Sequence, residues 1–279
     1  MRLFLSFCLF LSCLSAFAQE SKIKSVFFTW GYNRSFYLPS DIHVNGPDLS
    51  ITFKDVIAAD DPAPLSSDYY RIDKFTIPQF DFRFGIILAN DWRITGGWEH
   101  MKYQTTVGSK TKASGHIGRQ YPNLYFPERD FVDHEVEITK GLFYHEHTDG
   151  LNYIHLEVEK GYGYSLFKSP LMLKGYIGAG TGPTAPWSDT YLFREHYRNP
   201  SIHFAGWGVN VTAKPELWYK DRVFLQLVTR AGQIWLWDIL IKEDEIKSKQ
   251  SISFFEYNVS VGVNFPLNKG KEPRMDGFE

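Results

Sequence analysis

The chain has 279 residues with 32 acidic and 30 basic side chains, a formal net charge of −2, and no basic stripe of the kind a nucleic-acid partner requires. Aromatic residues make up 17 % of it, more than a soluble domain of this size needs. Its only cysteines, Cys8 and Cys13, fall in the first apolar run, so a chain that lost this run would have no disulfide, thiolate nucleophile or cysteine metal site.

Arg2, the apolar run over 3–17, and the small residues Ala16 and Ala18 predict a signal segment over 1–18, cleaved before Gln19. The run falls short of the roughly 20 apolar residues that a membrane-spanning helix needs. From there the dominant signal is alternation with period two, the mark of strands with one apolar and one polar face. The first run sets Val26, Phe28, Trp30, Tyr32 and Phe36 against Ser25, Thr29, Gly31, Asn33 and Ser35. The second sets Phe80, Phe82, Phe84, Ile86 and Leu88 against Gln79, Asp81, Arg83 and Gly85. Trp92, Ile94 and Trp98 oppose Arg93, Thr95, Gly97 and Glu99, and Ile154, Leu156, Val158, Tyr162 and Tyr164 oppose His155, Glu157, Glu159, Gly161 and Gly163. Four further runs follow. One starts at Leu171 with Lys174 on its polar face, one at Ala205, and one at Val223 with Arg230 inward and Phe224 and Val228 breaking the rule. The last sets Phe255, Tyr257, Val259, Val261, Val263 and Phe265 against Glu256, Asn258, Ser260, Gly262 and Asn264.

Short connections at 90–91, 167–170 and 219–221 alternate with long ones at about 39–74, 107–150, 183–201 and 238–250. Eight runs joined this way predict an all-β fold: a transmembrane antiparallel up-and-down β-barrel with short periplasmic turns and long extracellular loops. Ten strands is the alternative, since Leu49, Ile51 and Phe53 alternate with Ser50, Thr52 and Lys54, and residues 136–144 could pair likewise. Aromatics bunch at the run ends, as two interfacial belts require. Trp92, Tyr162, Tyr164, Trp218, Tyr219 and Phe265 lie beside the short turns; Phe36, Tyr37, Tyr103, Tyr153, Trp235 and Trp237 lie beside the long loops. The predicted organisation is a signal peptide over 1–18, a barrel over 19–265 and a short periplasmic tail over 266–279.

The stretches Phe27-Phe28-Thr29-Trp30-Gly31-Tyr32-Asn33-Arg34-Ser35, Thr76-Ile77-Pro78-Gln79-Phe80, His100-Met101-Lys102-Tyr103 and Glu146-His147-Thr148-Asp149-Gly150-Leu151-Asn152-Tyr153 resemble a family of small outer-membrane barrels of the Bacteroidota type. The fold is also similar to the eight-stranded barrels of the OmpA and OmpW types. The resemblance implies a fold and an outer-membrane location, and brings no active-site residues.

By parity, Asp81, Arg83, Arg93, Glu99, Glu157, Glu159, Lys174, Arg230 and Glu256 face the lumen. An eight-stranded barrel is just wide enough for its side chains to fill, so these charges are expected to pair as a plug. His145, His147 and Asp149 would share one face of an extended segment, a transition-metal trio against the alternative of an ordinary polar loop. The aromatic and arginine residues of the long loops, Tyr121, Tyr125, Phe126, Trp187, Tyr191, Phe193 and Arg194, are the surface-binding candidates. Tyr257 and Phe265 in the closing strand are the candidate assembly signal. Ser201 and His203, with His100 of like parity, suggest a lipid-modifying hydrolase, but nothing supplies the group that would orient the histidine, so no catalytic residue is assigned.

The functional expectation is a barrel with a largely filled, charged lumen that acts structurally or in surface interactions through its long loops. A narrow OmpW-like channel for small or apolar solutes and an outer-leaflet hydrolase are the alternatives. The expected surroundings are outer-membrane lipid and lipopolysaccharide, with the barrel-assembly machinery during insertion and no cofactor.

Overall fold

The computed structural model describes residues 23–63, 79–165, 170–198, 203–243 and 245–267. The predicted signal segment, the tail beyond 267, Ser201 and the first three residues of the Thr76 motif therefore lie outside the described residues. The strands in chain order are β1 (Ser25–Tyr37), β2 (Ser40–Gly46), β3 (Leu49–Val56), β4 (Ala58–Ala59), β5 (Phe80–Ile87) and β6 (Trp92–Met101). There follow β7 (Gln104–Thr105), β8 (Lys110–Ile117), β9 (Asp130–Glu137), β10 (Phe143–Glu146), β11 (Leu151–Ser165) and β12 (Leu171–Pro186). The series ends with β13 (Asp189–Leu192), β14 (Glu195–Arg198), β15 (Gly206–Tyr219), β16 (Val223–Lys242) and β17 (Ile246–Pro266).

Eight of these strands close a barrel in the order β1, β5, β6, β11, β12, β15, β16, β17, and the seam is the antiparallel β1–β17 pair. Each matches one of the alternating runs. In that seam Val26 pairs with Phe265 and Asn33 with Asn258, so parity sends Asn33 and Asn258 inward together. The short turns follow from local chemistry: Asn90 and Asp91, and Lys220 and Asp221, all take left-handed φ between 49° and 55°. Two such residues in a row twist a tight hairpin in the sense its strands need, and Asn and Asp tolerate that conformation best.

The long-loop end differs most from the expectation. The segment expected as a loop at 238–250 is largely strand, because β16 and β17 run for 20 and 21 residues and rise past the barrel as one tall hairpin. Lys247 to Gln250 of β17 pair with β2, and the sheet continues outward through β3, β8 and β9. The extra hairpin at Leu49 is thus real, but it extends this sheet instead of widening the barrel to ten strands. A second sheet runs β14, β13, β10, β7, β4, joining pieces of three connections.

The two sheets enclose an apolar core. Ile42, Val44, Ile51 and Phe53 from the first meet Phe143 and Leu192 from the second, with Ile241 and Ile246 from the tall hairpin. Phe53 stacks on Phe143 with ring centroids 4.4 Å apart. The connections therefore form a folded β head seated on the barrel mouth.

Candidate functional site

The barrel wall is inside out relative to a soluble protein. Phe84, Leu156, Val211, Leu225, Val259 and Val261 point out and are exposed, whereas Asp81, Arg83, Glu99, Glu157 and Arg230 point in and are buried. No helix among the described residues is long and apolar enough to cross a bilayer, and a closed barrel is the other structure that satisfies every backbone group in lipid. Tyr257 and Phe265 lie on the outer face.

The lumen is filled in layers. At the short-turn end Phe27, Trp218 and Phe224 cluster with Ile87. The Arg93 guanidinium lies 3.3 Å from the Tyr176 ring centroid and binds Glu216 through two bonds of 2.7 and 2.9 Å. Several glycines make room for these rings: a Cβ at Gly161 would strike Tyr176, and one at Gly262 would strike Phe224. The glycines on the polar faces thus seat the filling.

Above this layer is the charge network. Arg83 donates to Asp81 at 2.8 Å through Nε and to Glu99 at 2.8 Å through Nη2. Arg230 reaches Glu256 at 2.9 Å and Glu157 at 3.1 Å, and also pairs with Glu99. Lys214 donates to Glu159 at 2.8 Å and pairs with Glu157. His155 fits in because Gly97 opposite has no side chain, and its Nε2 lies 3.2 Å from Glu99. Above the charges Tyr103, Tyr153, Ile234, Ile252 and Phe254 form an apolar layer that closes the mouth beneath the head.

Of the nine residues expected in the lumen, Lys174 stands apart: it pairs with Asp221 at 3.0 Å at the short-turn end, over the Trp218 ring. Lys214, Glu216 and His155 join this network beyond the residues expected in it. Alternation puts His155 on the polar face of its strand but does not mark it as one of the charges. Lys214 and Glu216 continue the inward parity of Asn210 and Thr212, but they flank Pro215, a residue that reads as a strand breaker. Four belt assignments also change. Trp218, Tyr103 and Tyr153 are fully buried, and Tyr37 is inward and packs against the upper layer. Phe224 and Val228 broke the alternation because they too fill the lumen.

The loop aromatics do not form an open binding patch. Phe126 is buried and stacked on Phe131, and Phe193 is buried in the head core, with Tyr121 and Tyr125 packed against it. Trp187 and Tyr191 are half-buried, and Arg194 alone of the seven is exposed. The proposed metal trio does not assemble. Asp149 is exposed and binds Arg198 at 2.6 Å, while His145 and His147 are buried, and no three His, Cys, Asp or Glu side chains form a metal-holding group among the described residues. His145 Nδ1 lies 2.7 Å from Thr190 Oγ1 and His147 Nδ1 lies 2.9 Å from Ser188 Oγ, with the two rings 4.6 Å apart. Of the hydrolase candidates, His203 Nε2 is held by the Asp238 carbonyl at 2.6 Å, and His100 stacks on Phe80 and bonds Asn152.

An apolar exterior, a salt-bridged interior and tight turns opposite long connections together define an outer-membrane β-barrel of eight strands. No family model and no curated protein matches the chain. Among solved structures it is similar to the outer membrane protein OprG from Pseudomonas aeruginosa, with 9 % identity, coverage of 88 % of this chain and 97 % of that one, and a TM-score of 0.41. It is also similar to the outer membrane protein AlkL in lipid bilayers (10 % identity, 90 % and 94 % covered, TM-score 0.39). Neisserial surface protein A is a third (13 % identity, 86 % and 97 % covered, TM-score 0.32).

Proposed function

We propose that this protein is a non-conducting outer-membrane anchor that displays a folded β head for contacts at the cell surface. The observation that carries the reading is the continuous filling of the molecule: an aromatic layer, a paired charge layer, an apolar layer and then the head core. A solute channel would need a polar path through these layers, and the charges that could line one are bound to each other. The chain is taken to enter the outer membrane after loss of 1–18, with lipid and lipopolysaccharide around the wall and the assembly machinery reading the outward Tyr257 and Phe265. It belongs, on this reading, with the Bacteroidota-type barrels that its motifs resemble.

The expected topology can be tested with single cysteines, because loss of the signal segment leaves none. Val132→Cys, on the outer strand of the head at a position 82 % exposed, should react with a membrane-impermeant maleimide on intact cells. Asn90→Cys, in an exposed short turn, should react only after the outer membrane is permeabilised. The reverse pattern would invert the barrel and remove the surface role.

A further inference from the structure

The outward face of β17 changes character partway up. Phe265, Val263, Val261, Val259, Tyr257 and Phe255 are exposed in turn, and above them Ser253, Ser251 and Lys249 take the same parity. At a rise of ~3.4 Å per residue and a tilt of ~40°, Phe265 to Phe255 spans roughly 25 Å, the height of a barrel's apolar band. The polar residues above it therefore lie at the level of the lipid headgroups, on the side where the head stands.

Two tryptophans stand at that polar level. β16 sets Trp235 opposite Ser251, with Trp237 one outward step higher, and each ring is nearly half exposed. On the other side of β17, His43 of β2 pairs with Lys249. These three strands shape a groove of about 540 Å³ at the foot of the head, with Trp235, Trp237, Ser251, Lys249, Asp41 and His43 in its lining. That volume is in the range of small-molecule sites.

An ordinary interfacial tryptophan needs only lipid on one side and water on the other. These two share their groove with placed polar groups. Asp41 Oδ1 accepts from the Asp55 backbone N–H at 2.9 Å, and His43 Nδ1 lies 2.8 Å from Thr52 Oγ1, which fixes both side chains in the groove wall. Lys247 is held by Asp238 and Lys242 by Glu245, whereas the exposed Lys249 has no ion-pair partner among the described residues. Flat rings that stack on the C–H face of a sugar, polar groups for its hydroxyls and a cation for an anionic substituent are what a phosphorylated saccharide requires.

We propose that this groove binds the phosphorylated sugar headgroup of one outer-leaflet glycolipid, with Trp235 and Trp237 as stacking platforms and Lys249 on the phosphate. The acyl chains continue down the apolar wall past Phe255 and Tyr257. The choice of leaflet rests on the reading that the head stands outside the cell; recognition of the headgroup does not.

The test is titration of the folded, full mature chain in detergent micelles with three lipids, the bound lipid being counted by native mass spectrometry. The lipids are a bis-phosphorylated glucosamine-disaccharide lipid, a neutral galactosyl diacylglycerol and phosphatidylglycerol. The phosphorylated glycolipid should bind at one per chain and at least tenfold more tightly than phosphatidylglycerol. Trp237→Ala should weaken it at least tenfold, and Lys249→Ala should weaken it while leaving the galactolipid unchanged. Trp92→Ala, at the short-turn rim, should bind as the parent does. Should Trp237→Ala fold poorly, Lys249→Ala, which removes an exposed side chain, carries the test alone. Equal affinity for phosphatidylglycerol, or full affinity in Trp237→Ala or Lys249→Ala, overturns the proposal and leaves an ordinary interfacial belt. Because the titration is done in micelles, its failure would not touch the cysteine-labelling result or the surface orientation that result tests.

Discussion

Replacing Arg230 with methionine is expected to destabilise the folded barrel by about 3–5 kcal/mol, the usual cost of stranding buried charges. Arg230 is the hub of the lumen network: fully buried, it contacts Glu99, Glu157 and Glu256 from three other strands. Methionine fills much of the same volume, so the loss reports on charge and not on a cavity. The measurement is urea unfolding in detergent micelles, followed by the heat-dependent gel shift of folded barrels. Arg198→Met is the matched comparison. Its pair with Asp149 is also close, at 2.6 Å, yet the side chains are 59 % and 42 % exposed, and water screens such a pair so that its loss should cost far less. Equal effects from the two variants would mean that the lumen is wet enough to screen its charges.

Acidification should loosen the head before it affects the barrel. Burial pushes the His145 imidazole down to about 4, and burial together with the neighbouring His145 lowers His147 well below its ordinary value. In the unfolded chain both take up protons near pH ~6.5. The unfolded state therefore binds more protons below that pH, so folding stability from the neutral rings is fully present above about 6.5 and is lost as pH falls toward 4. Each ring contributes up to about 1.4 kcal/mol per pH unit across its window. Amides of β10 and β13 should exchange markedly faster, relative to their intrinsic rates, at pH 5 than at pH 7.5, while those of β15 and β16 within the barrel wall hold their protection. His145→Asn with His147→Gln should flatten this difference, and a head equally protected at both pH values would contradict the assignment.

What was legible in the sequence follows from how local the signal is. Inward parity is a property of one strand, so Asp81, Arg83, Glu99, Glu157 and Glu256 could be placed before any pairing was known. The same rule extends to Lys214 and Glu216 once Pro215 is allowed inside β15, where it pairs opposite Gly175. Parity was overruled by composition at Trp218 and Tyr153, aromatics near strand ends that serve here as filling. The head was the least legible part. Its strands are short, and its pairings join distant segments, such as β17 with β2 and β10 with β13, so alternation reveals a face but not the partner that covers it. Phe126 and Phe193 looked like loop hot spots for the same reason: the core that buries them is assembled from four separate connections.

Planar-bilayer conductance of the purified, folded protein shows whether the barrel is filled from end to end beneath its head. The layered filling predicts no stable unitary openings at moderate voltages of either sign. Reproducible single-channel steps would contradict it, because ions could then pass only if the Arg93, Arg230 and Tyr153 layers part together.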